Sequence, residues 1–428
     1  MDRRILLLAV LPCLWLAAAC NPRYCAGNPY DDCRKTWDAG IDGPELCKGN
    51  GDCAAPTGVC DIAGTMMCVQ CTTAEPGACS GLVPVCVSNQ CQKCTAHAQC
   101  VASNVCLPDG SCADEQQVAY VANGGMGNMC TKASPCGTLD SGVNTGKPFV
   151  KMATGTVSDN KTTTIDGKAV TIFADPGAQL SRANAGVILQ IQNDSADVKI
   201  FDLEITGGTG AANAAISIPN GGAPKLTLTR VTVDINQGVG ISANAGTLTI
   251  ARSTVRGNTN GGLSISGAEF DISNSFIVQN GAVLSLIGGI DFPQISATGM
   301  HRLDFNTIAS NGGNMSVNSG INCSTVVAPV SFKSNIIYGN VVSAGGKQLG
   351  GSAMCTAIHS DVGPDPSAGT GNINMDPMFV NLQNNFHLMS TSPAKDVADP
   401  AATIAEDFDG DVRPQGLRSD MGTDEIKP

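Results

Sequence analysis

Few residues in this chain of 428 have types and spacing that could carry chemistry. Asp291, His301 and Arg302 lie close in sequence and combine an acid, a titratable ring and a cation. Glycoside hydrolysis needs two carboxyl groups roughly 5–9.5 Å apart. The strand-like phrases upstream offer instead Ser217, Gly240, Ser242, Ser264 and Ser266, none of which ionises as acid, base or metal ligand. Asp291, His301 and Arg302 are therefore the catalytic candidates only if the chain is an enzyme; otherwise they are solvated positions. Asp271, Asp304, His301 and Arg302 fall near Asp291 in sequence but belong mostly to the other strand. The run Asp407-x-Asp409-x-Asp411 has the look of a calcium loop. It carries Val412 and Arg418 where an EF-type loop needs Gly and Glu, so no metal site is assigned and the acids are expected to pair with Arg413. Four scattered histidines build no nucleophile motif, and no Gly-Lys-Ser/Thr phosphate loop is present.

The N-terminus reads as an address. Arg3 and Arg4 precede an apolar run from Ile5 to Ala19 that ends in small residues before Cys20. A basic start, a short apolar stretch and small residues describe an export signal, too short for a comfortable membrane span. Cys20 directly after Ala17-Ala18-Ala19 resembles the lipobox of bacterial lipoproteins, in which that cysteine is acylated; Ala17-x-Ala19 also suits ordinary secretion. Of 20 cysteines, Cys13 falls in the leader, and lipid on Cys20 would leave an even 18 free to pair. Stable anchoring by lipid needs more than one acyl chain.

From Cys47 to Cys112 the chain is dense in cysteine and poor in regular hydrophobics: Cys47, Cys53, Cys60, Cys68, Cys71, Cys79, Cys86, Cys91, Cys94, Cys100, Cys106 and Cys112. Such a segment cannot bury enough apolar area to fold unaided, and behind an export signal this density reads as a disulfide framework of open connectivity. Cys68/Cys71 and Cys91/Cys94 also fit a zinc-ribbon spacing, the rival reading. Phrases such as Cys47-Lys-Gly-Asn-Gly-Asp-Cys53 resemble cysteine-rich repeats of secreted bacterial surface proteins.

Beyond Cys112 the apolar residues return in alternation, and a repeat appears. Six copies of an 11-residue unit align at Val198, Leu226, Leu248, Phe270, His301 and Val330. The third position reads Ile200, Leu228, Ile250, Ile272, Leu303, Phe332; the eighth reads Ile205, Val233, Val255, Ile277, Ile308, Ile337. The eleventh is Gly208 and then Asn236, Asn258, Asn280, Asn311 and Asn340. The central copies are 22 residues apart, enough chain for three short strands and their turns at ~3.3 Å per residue. One copy thus marks one coil of a solenoid, with the asparagines in left-handed turns forming an amide ladder. This predicts an all-β right-handed parallel β-helix behind a small, loop-dominated, disulfide-rich module; a layered sandwich would not explain the aligned Asn column. Cys323 and Cys355 fall in longer insertions after the Asn311 and Asn340 units and are expected to form a disulfide between neighbouring loops.

Ala119-Tyr-Val-Ala-Asn-Gly-Gly, Pro135-Cys-Gly-Thr-Leu139 and Gly167-Lys-Ala-Val-Thr-Ile172 resemble the opening of pectate-lyase-like β-helix proteins, and Asp407-Phe-Asp-Gly-Asp-Val-Arg-Pro414 resembles the closing stretch of the same extracellular group. The resemblance implies the β-helix and a surface location; it leaves open lyase, hydrolase or binding protein. Lyases on this fold hold Ca²⁺ with clustered acids and use Arg or Lys as base, so Ca²⁺ enters only in that reading and no cofactor is otherwise expected. The expected organisation is a signal peptide (1–19), lipid attachment and linker (20–46), cysteine-rich module (47–116), N-terminal cap and first coils (117–197), β-helix core (198–375) and C-terminal cap (376–428). Net charge is −12 and charged residues make up only 14%, against about 25% for an average domain. Acidity speaks against nucleic acid as a partner. The expected protein is an exported, non-enzymatic lipoprotein of the bacterial cell envelope, anchored to the membrane through lipid and displaying its β-helix to a glycan or surface protein. Cleavage of an extracellular glycan, or a purely structural envelope role, are the alternatives.

Overall fold

The computed structural model describes residues 46–282, 285–312, 318–342, 345–365 and 367–427. The leader, Cys20 and the linker lie outside them. Among the described residues no helix is long and apolar enough to cross a membrane.

Residues 118–363 form an all-β parallel solenoid of three sheets with nine, eight and ten strands. One coil shows the plan. Thr247–Ala251 lies in the ten-stranded sheet, Thr254–Arg256 in the nine-stranded sheet and Leu263–Ser266 in the eight-stranded sheet. Each strand pairs only with its equivalent one coil before and after. Ile250 is in register with Leu228 on one side and Ile272 on the other, and Val255 with Val233 and Ile277. These columns are buried, so the 22-residue periodicity is the period at which one inward environment recurs. Each buried aliphatic side chain contributes roughly 1.5–3 kcal/mol.

Amides close the second corner of each coil. Asn236 donates to Asn258, Asn258 to Asn280, Asn280 to Asn311 and Asn311 to Asn340, at 2.9, 2.9, 3.0 and 2.9 Å. The second amide hydrogen of each goes to a backbone carbonyl, as from Asn280 to Val255 at 2.8 Å. Gln348 ends the series by accepting from Asn340 at 2.8 Å. The left-handed turn, however, belongs to the residue before each asparagine: Ile235, Gly257, Gln279, Ser310 and Gly339 all have positive φ. Asparagine is needed there for its amide and not for a left-handed backbone. The ladder also explains four glycines, among them Gly240, which the sequence placed on the strand face. A Cβ at Gly240, Gly262, Gly289 or Gly320 would stand 2.9–3.0 Å from the amide nitrogen of Asn258, Asn280, Asn311 or Asn340.

A second ladder runs along the other corner, where the backbone N–H of each coil donates to a side chain of the next. Val231 donates to Ser253, Ser253 to Ser275, Ser275 to Asn306, Asn306 to Asn335 and Asn335 to Ser360, at 2.9–3.2 Å.

The cysteines pair in an interleaved order. Cys47 joins Cys60 and Cys53 joins Cys68; Cys71 joins Cys86 and Cys79 joins Cys91; Cys94 joins Cys106 and Cys100 joins Cys112. Each unit of four links first to third and second to fourth. The Cys68/Cys71 and Cys91/Cys94 pairs are therefore the joints between units, and their sulfurs have no thiolate left for zinc. Loops this short are stabilised by about 3 kcal/mol per bridge. A further bridge, Cys130–Cys136, lies beside the short helix Leu139–Asn144 in the N-terminal cap.

Cys323 is bonded to Cys355, but neither sits in a loop. Cys323 lies within strand Ile321–Val326 and Cys355 begins strand Cys355–Ile358, both buried in the main core. Strand alternation turns both sulfurs inward, so the bond ties two sheets from inside and cannot shape an outer surface.

The C-terminal segment covers the outer face of the late coils of the nine-stranded sheet. Outward positions there change from Glu204, Thr232 and Thr254 to Phe276, Val278 and Ile336, which meet Phe379, Phe386, Leu388, Met421 and Ile426. The acids of Asp407-x-Asp409-x-Asp411 do not pair with Arg413. Asp407 accepts the backbone N–H groups of Asp411 and Glu425, Asp411 pairs with Lys427 and Asp409 with His387. Arg413 instead binds Glu425 at 3.0 Å, with both side chains fully buried.

At the last rung the buried carboxyl of Asp361 accepts the N–H of Met375 through one oxygen, while the other has no partner. Burial pushes its pKa up to about 7. A raised folded-state pKa means that stability present in acid is lost as pH rises from about 4 through about 7. Asp361→Asn should gain about 2–4 kcal/mol at pH 8 and little at pH 4. Guanidinium melts at the two pH values test this, and an equal effect at both would refute it.

Candidate functional site

Strand alternation sets one row of side chains on the outer face of the eight-stranded sheet. Thr164, Gln190, Ser217, Ser242, Ser264, Asp291, Asn322 and Gly350 are in register from coil to coil. At ~4.8 Å between parallel strands this row is about 34 Å long. Its residues are short and half-buried, so the face is flat and offers hydroxyls and amides. Gln190 donates to Gln192 and Gln192 to Asp166 at one end; Asn322 donates to Asp291 at 2.8 Å near the other. Asp291 is the one carboxyl in the row, and burial raises its pKa.

The three catalytic candidates are not brought together. Asp291 belongs to the row just described. His301 and Arg302 begin strand His301–Asp304 of the ten-stranded sheet, and as neighbours on a strand they face opposite ways. His301 pairs with Phe270, its ring 5.2 Å from that of Phe270 and its Nε2 3.3 Å from Ser296 Oγ; burial lowers its pKa. Arg302 points outward and grips Asp271 through two bonds of 2.7 Å. This contact holds its guanidinium charged, so it is no base.

His301 and Arg302 do both border a second cluster, which the sequence did not single out. Asp304, Lys333 and Asp399 surround a cleft of about 340 Å³ beneath residues 399–404. Lys333 pairs with Asp399 at 3.2 Å, and its backbone N–H donates to Asp304 at 3.1 Å. Burial pushes the Asp304 carboxyl up to about 6, which gives it the poise of a general acid. Each cation in the cleft is already committed to a carboxylate. The signal for Asp304 was its position on an outward strand place opposite Lys333; the signal for Asp399 was absent, because it arrives from the cap.

No family model matches this chain, and no curated protein matches it. Among solved structures it is similar to the crystal structure of pectate lyase Pel9A, with a TM-score of 0.46 and 14% identity over 72% of this chain and 96% of that one.

Proposed function

We propose that the protein is an exported β-helix, lipid-anchored through Cys20 to a bacterial envelope, that binds an extended glycan along the Ser217–Ser242–Ser264 face without cleaving it. One observation carries this reading: an unbroken row of hydrogen-bonding side chains across seven coils, from Thr164 to Asn322, with a single carboxyl already engaged by Asn322. Such a row matches a long ligand with regularly spaced hydroxyls and supplies little acid–base chemistry. A surface protein with a polar, extended segment is the other occupant this face would suit. Neither reading needs a cofactor, nor does either involve nucleic acid.

The test exposes the full-length protein in detergent to neutral and acidic polysaccharides, with and without Ca²⁺, scoring binding and new chain ends. Binding without product is expected. Ser242→Arg with Ser264→Arg, which crowds the row, should weaken it at least tenfold, about 1.4 kcal/mol. Product formation would overturn the reading and redirect attention to Asp304 and its cleft. The anchor is read from the mature N-terminus by mass spectrometry, where an unmodified Cys20 would dismiss it.

A further inference from the structure

We propose that His387, Asp409 and Asp424 bind a divalent transition-metal ion, of the zinc or manganese class, that fastens the C-terminal cap. The three residues come from separate segments: strand Asn385–Leu388, the 407–411 loop and the C-terminal tail. One nitrogen and two carboxylate oxygens lie within 4.8 Å of one another.

A residue outside this trio points to a cation. Asn385 Oδ1 accepts the backbone N–H of His387 at 3.1 Å, which fixes its oxygen toward the ring. His387 Nδ1 lies 2.6 Å from that same oxygen and must therefore donate to it. A neutral ring then carries its lone pair on Nε2, which faces an oxygen of Asp409 at 3.0 Å. Two acceptors at that distance require a positive centre. A proton on Nε2 would answer Asp409 alone, whereas a metal ion would answer Asp409 and Asp424 together.

The surroundings fit the same role. An outer partner on the second ring nitrogen is the usual support of a metal-binding histidine. Asp424 is steadied by the N–H of Leu388 at 2.7 Å. The rings of Phe276 and Phe408, 5.3 and 6.2 Å from the imidazole, wall one side. The other opens on a cleft of about 430 Å³ lined by Gln279 and Asn384, with room for a water or ligand oxygen. Asp407 and Asp411 are committed elsewhere, as described, and Arg256 to Asp234. One imidazole with two carboxylates suits zinc, manganese or cobalt better than calcium, which prefers all-oxygen cages.

The test titrates EDTA-stripped full-length protein with zinc sulfate, manganese chloride and calcium chloride by calorimetry, and follows cobalt by visible absorption and melting temperature by circular dichroism. Micromolar zinc or manganese binding, a rise of several degrees in melting temperature and a cobalt spectrum are expected. His387→Gln should abolish all three, and Asn385→Leu should weaken binding 10–100-fold. Asp409→Asn, at an exposed position where folding is not at stake, should weaken it at least tenfold. Absence of binding at 100-fold excess metal, binding unchanged in His387→Gln and Asp409→Asn, or calcium bound as tightly as zinc would each overturn the proposal.

Discussion

Replacing Asn280 by alanine should cost about 4–6 kcal/mol, far more than its small volume implies. Its side chain accepts from the backbone N–H and the amide of Asn258, and donates to the Val255 carbonyl and the Asn311 amide oxygen. Alanine leaves the buried N–H of Asn258 without its partner, at about 1–3 kcal/mol, and takes one hydrogen bond each from the Asn258 amide, the Val255 carbonyl and the Asn311 amide oxygen, at about 0.5–1.5 kcal/mol apiece. Collapse cannot relieve this, because the neighbouring coils are held in register on both sides. Guanidinium unfolding with disulfides intact measures the loss. Hydrogen exchange should localise it to the coils of Asn258 and Asn311. Asn260→Ala, which removes an exposed amide contact to Ala211, should cost about 0.5 kcal/mol or less and serves as the control. A loss below 1 kcal/mol for Asn280→Ala would show that the ladder is ornamental.

Arg413→Ala should cost about 3–5 kcal/mol, because it strands the buried carboxylate of Glu425. The guanidinium also donates to the carbonyls of Asp420 and Gly422 at 2.9 Å and lies 4.7 Å above the ring of Phe305. Losing it should loosen the C-terminal tail from the nine-stranded sheet and uncover Phe276 and Ile336. Proteolysis within residues 400–427 and binding of a hydrophobic dye report that change, and a melting curve reports its size. Replacing both partners, Arg413→Met with Glu425→Leu, should recover more than half of the loss, since an apolar pair leaves no charge behind. Failure of this double variant to recover would mean that the carbonyl contacts, not the ion pair, hold the tail.

What was legible before any coordinates follows from symmetry. A coil that sees the same neighbours as the last must use similar side chains, so Ile250, Val255 and Asn258 recur at fixed spacing and the solenoid can be read from them. The second ladder escaped because Ser253, Ser275, Asn306 and Asn335 differ in type while offering the same acceptor; a column scored by hydrogen-bonding capacity would have revealed it. The left-handed residue was misplaced by one because Ile235 and Gln279 are not types that favour that backbone, and register overrides their preference. That Asp291 could not join His301 and Arg302 was available from the repeat, which puts it on a different strand of the coil. Glu425 as partner of Arg413, and the approach of His387 to Asp409 and Asp424, depend on loops without a period, which no spacing rule anticipates.

The register of one coil on the next gives the molecule an adjustable length. Because residues 226–247 and 248–269 each make one complete turn and meet their neighbours through equivalent contacts, a duplicated 22-residue block would slot between them and bring its own amide, glycine and outward serine. Each such insertion would extend the polar face by ~4.8 Å while leaving both ends untouched. The reach of this surface along a polymer is thus set by copy number, like graduations on a ruler, and can change by whole steps without any residue having to be reinvented.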